Sequence, residues 1–142
     1  MRAKDNAFPS PESRHPHRIS YGETDAMGVV YYSNYLHWFE MARSTYIRER
    51  GTSYPDIEKQ GIFLPVREAY CRYLVPCRFE DLVYIRAGIS KWGRASFKFV
   101  YEVLDVDQEE VLARGSTEHP CLGPEGRPVR VPGWLKEMCS YG

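Results

Sequence analysis

Residues 21–35 read Tyr-Gly-Glu-Thr-Asp-Ala-Met-Gly-Val-Val-Tyr-Tyr-Ser-Asn-Tyr. This stretch puts a carboxylate, Asp25, in a turn just ahead of an aromatic-rich segment with helical spacing, and a small residue, Gly28, lies between the two. A helix N-terminus presents unpaired N–H donors and partial positive charge. A carbonyl held there is polarised, and an acid beside it can attack the carbonyl carbon or activate water, which is acyl-transfer chemistry. Asp25 also has a structural reading, since Asp commonly closes turns through its own backbone. Gly28 suits a backbone conformation that other residues avoid.

The elements that must position these residues follow from the spacing of apolar side chains. Residues 33–50 read as a helix, with Ser33 as N-cap and Gly51 as its terminator. Apolar residues at 35, 36, 38, 39, 41, 42, 46 and 47 cover more than one stripe, so the helix is expected to be surrounded. Residues 18–21 read as a short strand, and 63–74, 82–91, 95–104 and 111–122 as four long ones. The alternation is clearest in Phe97, Phe99, Tyr101 and Val103, against Lys98 and Glu102. Trp92-Gly93-Arg94 and residues 105–110 read as hairpin turns. Pro132-Gly133 opens a tail that reads as helical to Cys139. The class expected is α+β, one domain over 18–142, preceded by a flexible tail over 1–17 that holds three prolines. A long unpaired edge strand is a liability, so self-pairing into a homo-oligomer is expected. Glu40 and Arg43, three apart on the helix, are expected to pair.

Bulk properties narrow the function. A chain of 142 residues holds one ordinary domain. Its 19 basic and 19 acidic side chains give a formal net charge of +0, which offers no general attraction for nucleic acid. No apolar run approaches the roughly 20 residues of a membrane span. The first 17 residues lack the apolar core of a signal peptide, so a cytoplasmic location is expected. The four cysteines show no CxxC spacing and read as reduced thiols. No metal site is expected; His15 and His17 read as part of the tail.

Asp25-Ala-Met-Gly28-Val-Val-Tyr-Tyr32-Ser-Asn34-Tyr35, with Lys91-Trp92-Gly-Arg94-Ala-Ser96-Phe97 and Gly126-Arg-Pro-Val-Arg-Val-Pro132, resembles the hotdog-fold acyl-CoA thioesterases, in particular the 4-hydroxybenzoyl-CoA and Tol–Pal-associated branches. The resemblance covers about residues 18–135. It implies a long central helix wrapped by a five-stranded antiparallel sheet, and homodimers or homotetramers with active sites at the dimer interface. It further implies an acyl-CoA substrate, no cofactor, and Asp25 as the essential carboxylate, with the backbone N–H of Tyr32 polarising the thioester carbonyl. Gly28, Val29 and Val30 would border the substrate, Ile62, Phe63 and Leu64 would wall the acyl group, and Arg94 would meet the CoA phosphates. Many relatives of the Tol–Pal branch carry His where this chain has Tyr32, and the hydroxybenzoyl branch has more basic residues at the hairpin. A hotdog dehydratase would need a His near Asp25, and residues 21–35 contain none. A carrier-protein thioesterase or a non-catalytic acyl-CoA-binding protein would share these residues.

Overall fold

A computed structural model describes residues 7–140. Its elements are β1 (Glu12–Arg18), α1 (Asn34–Glu49), α2 (Tyr54–Lys59), β2 (Glu68–Tyr73), β3 (Leu82–Trp92), β4 (Ser96–Leu104), β5 (Val111–Pro120) and α3 (Gly133–Met138). The strands form one antiparallel sheet in the order β1-β3-β4-β5-β2. Alternation aims Phe97, Phe99, Tyr101 and Val103 of β4 at α1, and all four are buried. Their cross-strand neighbours Ile85, Ala87, Ala113 and Thr117 extend the same floor. Phe39 of α1 stacks on Tyr101 with centroids 4.3 Å apart, and Tyr46 meets Phe99 edge-on at 5.2 Å. This is the α+β hotdog arrangement that the resemblance implies.

One close approach decides where α1 lies. A Cβ on Gly115 of β5 would fall 2.3 Å from the Phe39 ring, so only glycine lets that ring down onto the sheet. A second glycine, Gly51, ends α1 at φ +97°, as the terminator reading requires. The helix buries Tyr35, Trp38, Phe39, Ala42, Arg43, Tyr46 and Ile47, while Leu36 stays exposed. Within one chain α1 is therefore covered along one broad face, not on most sides.

The structure corrects several expectations. Residues 12–18 are not tail but β1, paired with β3 from Glu12↔Gly88 to Arg18↔Leu82. Proline is tolerated there because β1 is an edge strand. The part of the expected tail over residues 1–6 lies outside the described residues. The strand expected over 63–74 is shorter, Glu68–Tyr73, and α2 was not anticipated. Glu40 lies outward beside His37, 3.5 Å away, whereas Arg43 is buried and donates to the Tyr101 hydroxyl at 3.2 Å. That hydroxyl continues through Thr117 to His119. Cys77, Cys121 and Cys139 are buried and Cys71 half-buried, all as free thiols. Among the described residues no helix is long and apolar enough to cross a membrane, and no cluster of His, Cys, Asp or Glu could hold a metal ion.

Candidate active site

The turn that carries Asp25 is closed by its own backbone. The Asp25 N–H donates to the Val29 carbonyl at 2.9 Å, and the Gly28 N–H donates to the Asp25 carbonyl at 3.0 Å. Gly28 makes the reversal at φ +79°, a conformation costly for residues with a Cβ. Asp25 Oδ1 accepts the N–H of Met27 at 2.8 Å, so the turn-closing reading of this residue is real. Oδ2 has no such partner among the described residues, and the side chain is exposed. Val30 then donates to the Cys77 carbonyl at 2.9 Å, which ties the turn to the loop before β3.

The helix start leaves donors over. Asn34, Tyr35 and Leu36 bond back to the carbonyls of Tyr31, Tyr32 and Ser33. Ser33, read as N-cap, has helical backbone and makes no capping bond with its side chain, because these three-residue bonds begin the spiral a turn earlier. The N–H groups of Tyr32 and Ser33 donate to no group among the described residues. Asn34 spends its side chain on the turn: its amide donates to the Glu23 carbonyl at 2.9 Å.

Asp25, Val29, Val30 and Tyr32 line one cavity of about 330 Å³, together with Tyr31, Tyr35, Tyr73 and residues 74–76. Such a volume, mostly aromatic and aliphatic with one acid, suits a small acyl group. Tyr73 was not anticipated. It reaches from β2 to donate its hydroxyl to the Tyr32 carbonyl at 3.2 Å, and it packs edge-on against Tyr35 with centroids 4.9 Å apart. Burial, the neighbouring Cys71 and Tyr32 raise its hydroxyl pKa to about 12, so it is a donor at neutral pH. Only its aromatic character in a strand could have suggested it.

The other expected residues stand apart in the single chain. Gly28 belongs to the turn but does not line the cavity. Phe63 exchanges backbone hydrogen bonds with Leu122, and the Leu64 carbonyl faces His119 at 3.4 Å. Neither they nor Ile62 reach the Asp25 cavity. Arg94 lies at a second cavity of about 520 Å³, which it shares with Arg130, Lys136 and the Trp92 ring. Lys136 went unnoticed because nothing local in α3 links it to the hairpin.

A family model described as the thioesterase-like superfamily matches residues 19–138. The chain belongs to that superfamily. It is 34% identical over 134 residues to the acyl-CoA thioesterase YbgC of Haemophilus influenzae, covering 93% of each chain. A DHNA-CoA thioesterase from Staphylococcus aureus superposes with a TM-score of 0.80 at 35% identity, over 88% of this chain and 87% of that one. A 4-hydroxybenzoyl-CoA thioesterase complexed with 4-hydroxybenzoyl-CoA superposes with a TM-score of 0.84 at 22% identity, over 92% of this chain and 100% of that one, which speaks to the fold.

Proposed function

We propose that this hydrolase cleaves the thioester of an aromatic or short- to medium-chain acyl-CoA, with Asp25 as the reacting carboxylate. The observation that carries the reading is the joint placement of Asp25 and Tyr32 on one small cavity at a helix start with unspent N–H groups. A thioester carbonyl is electrophilic and its thiolate leaves readily, so neither a metal nor a strong nucleophile is needed. Asp25 takes the proton of an attacking water, or it attacks the carbonyl carbon itself, in which case water hydrolyses the resulting acyl–aspartyl anhydride after the thiolate has left and so frees Asp25. The oxyanion is met by the Tyr32 N–H and the positive helix end, and the CoA thiolate leaves and is protonated. Val29 and Val30 border the acyl group. Arg94, with Arg130 and Lys136 around it, offers phosphates of the CoA three cations.

The two halves of the substrate site are brought together by self-pairing along β2. That edge carries exposed Tyr70 and Tyr73, while the opposite edge, β1, contains Pro16, which lacks a donor. Antiparallel pairing of β2 with its copy puts the segment before Glu68 of one chain beside the residues after Tyr73 of the other. Ile62, Phe63 and Leu64 of one chain thus approach the Asp25 cavity of its partner.

The test is thiol release from acyl-CoAs running from acetyl to palmitoyl and including benzoyl and 4-hydroxybenzoyl, with wild type beside Asp25→Asn. Wild-type turnover on some member, falling about 10²–10⁴-fold in the variant, is expected for a lost base or nucleophile. An unchanged rate in Asp25→Asn removes the carboxylate from the mechanism. Turnover of acyl carrier protein alone would move the substrate from CoA to a protein-bound thioester.

A further inference from the structure

We propose that Glu23, two residues before Asp25, is the positioning residue that holds the Asp25 carboxylate at a fixed distance from the helix-start donors; this rests on the thioesterase reading. Glu23 grips α1 twice. Its backbone carbonyl accepts the Asn34 amide at 2.9 Å, and its carboxylate accepts the Trp38 indole N–H at 2.8 Å. Asn34 and Trp38 are four apart, hence one above the other on the same helix face. A single residue thereby spans the first turn of α1. The same carbonyl also takes the N–H of Tyr31 at 2.8 Å. That bond removes Tyr31 from the pool of free donors and leaves Tyr32 as the first N–H that a substrate can use.

The other side of the clasp is the start of the turn. The carboxylate accepts the Ser20 N–H at 2.8 Å and lies 2.9 and 3.0 Å from His17 Nε2 of β1. Burial opposes its ionisation, but the bonds from Trp38, Ser20 and His17 prevail and keep it below the ordinary carboxylate range. Glu23 thus joins β1, the turn and α1 at a point two residues from Asp25. It does not line the cavity, so its influence on the reaction passes through the placement of other groups. Misplacing a reacting group by about 1 Å can cost on the order of 10² in rate.

The experiment is steady-state kinetics of the full chain on the best acyl-CoA, for wild type, Glu23→Ala, Glu23→Gln and Trp38→Phe, with folding at assay temperature verified by circular dichroism. Glu23→Ala is expected to lower kcat by about 10²-fold with KM within about threefold. Glu23→Gln keeps an acceptor for the indole and should recover most of that loss. Trp38→Phe should lower kcat less than Glu23→Ala. A merely structural role would lower the melting temperature and leave kcat of the folded enzyme as in wild type. That result in Glu23→Ala, or in Trp38→Phe if Glu23→Ala does not fold, overturns the proposal while the thioesterase reading stands. A wild type without turnover on any thioester overturns both.

Discussion

At the residue scale, Tyr73 is the informative case. Its ring could be replaced by phenylalanine with little loss of packing, but its hydroxyl fixes the Tyr32 carbonyl from across the cavity. Tyr73→Phe is expected to lower kcat about three- to tenfold, consistent with loss of one hydrogen bond of about 1 kcal/mol, while far-ultraviolet dichroism stays unchanged; kinetics on the best thioester decides. His119 makes a prediction about pH. Burial, with the Arg43 charge adding to it, pushes the imidazole pKa down from the ordinary 6.5 to about 4. Between those values the unfolded chain binds a proton that the native state refuses. Unfolding free energy therefore falls as pH drops from about 6.5, by about 2 kcal/mol down to pH 5. His15, also lowered by burial, acts in the same direction. Thermal melts of His119→Gln over this range should show a shallower pH slope than wild type. The Asp25 turn was legible in the sequence because its bonds run between residues 25 and 29. Tyr73 and the Arg43–Tyr101–Thr117–His119 chain were not, because they join residues that only the sheet register brings together. Spacing paired Arg43 with Glu40, but burial sent it to Tyr101.

At the element scale, the long helix and strands β3, β4 and β5 were readable, because side-chain alternation and helical spacing persist over nine or more residues in each. Shorter pieces escaped. β1 was hidden by Pro16, which argues against a central strand but not against an edge. The six-residue α2 offers too few turns for a periodic signal; its start is nonetheless orderly, with Ser53 accepting the Asp56 N–H at 3.2 Å. The contact between α1 and β5 depends on the absent side chain of Gly115. Gly115→Ala forces Phe39 out of its place over Tyr101 and is expected to destabilise by about 1–3 kcal/mol, as overpacking does; chemical denaturation measures it.

At the scale of the whole molecule, the residues that the resemblance assigns to one site lie in separate places in the single chain. The Asp25 cavity, the segment from Ile62 to Leu64 and the cationic cavity around Arg94 do not meet within it. The sequence suggested all three as parts of one site through resemblance, and one chain's contacts alone would not have joined them. Tyr70→Lys sets a charge on the exposed β2 edge, beside its own copy if the strands pair. Sedimentation is expected to show a dimer in wild type and at least tenfold weaker association in the variant, with thioesterase activity falling in parallel. A variant that dissociates yet keeps full activity would confine the site to one chain.

The cysteines bear on how such a protein survives its own substrate. Acyl thioesters pass their acyl groups to any accessible thiolate, so a reactive cysteine near the site would become a dead-end acyl acceptor. Cys77 lies directly behind the cavity wall, 3.6 Å from the Tyr35 hydroxyl, yet it is buried and burial raises its pKa. Burial lifts Cys71, Cys121 and Cys139 to about 11. At pH 7 each of these three is thiolate in only about one molecule in 10⁴. Burial thereby keeps the four sulfurs from competing for the acyl group.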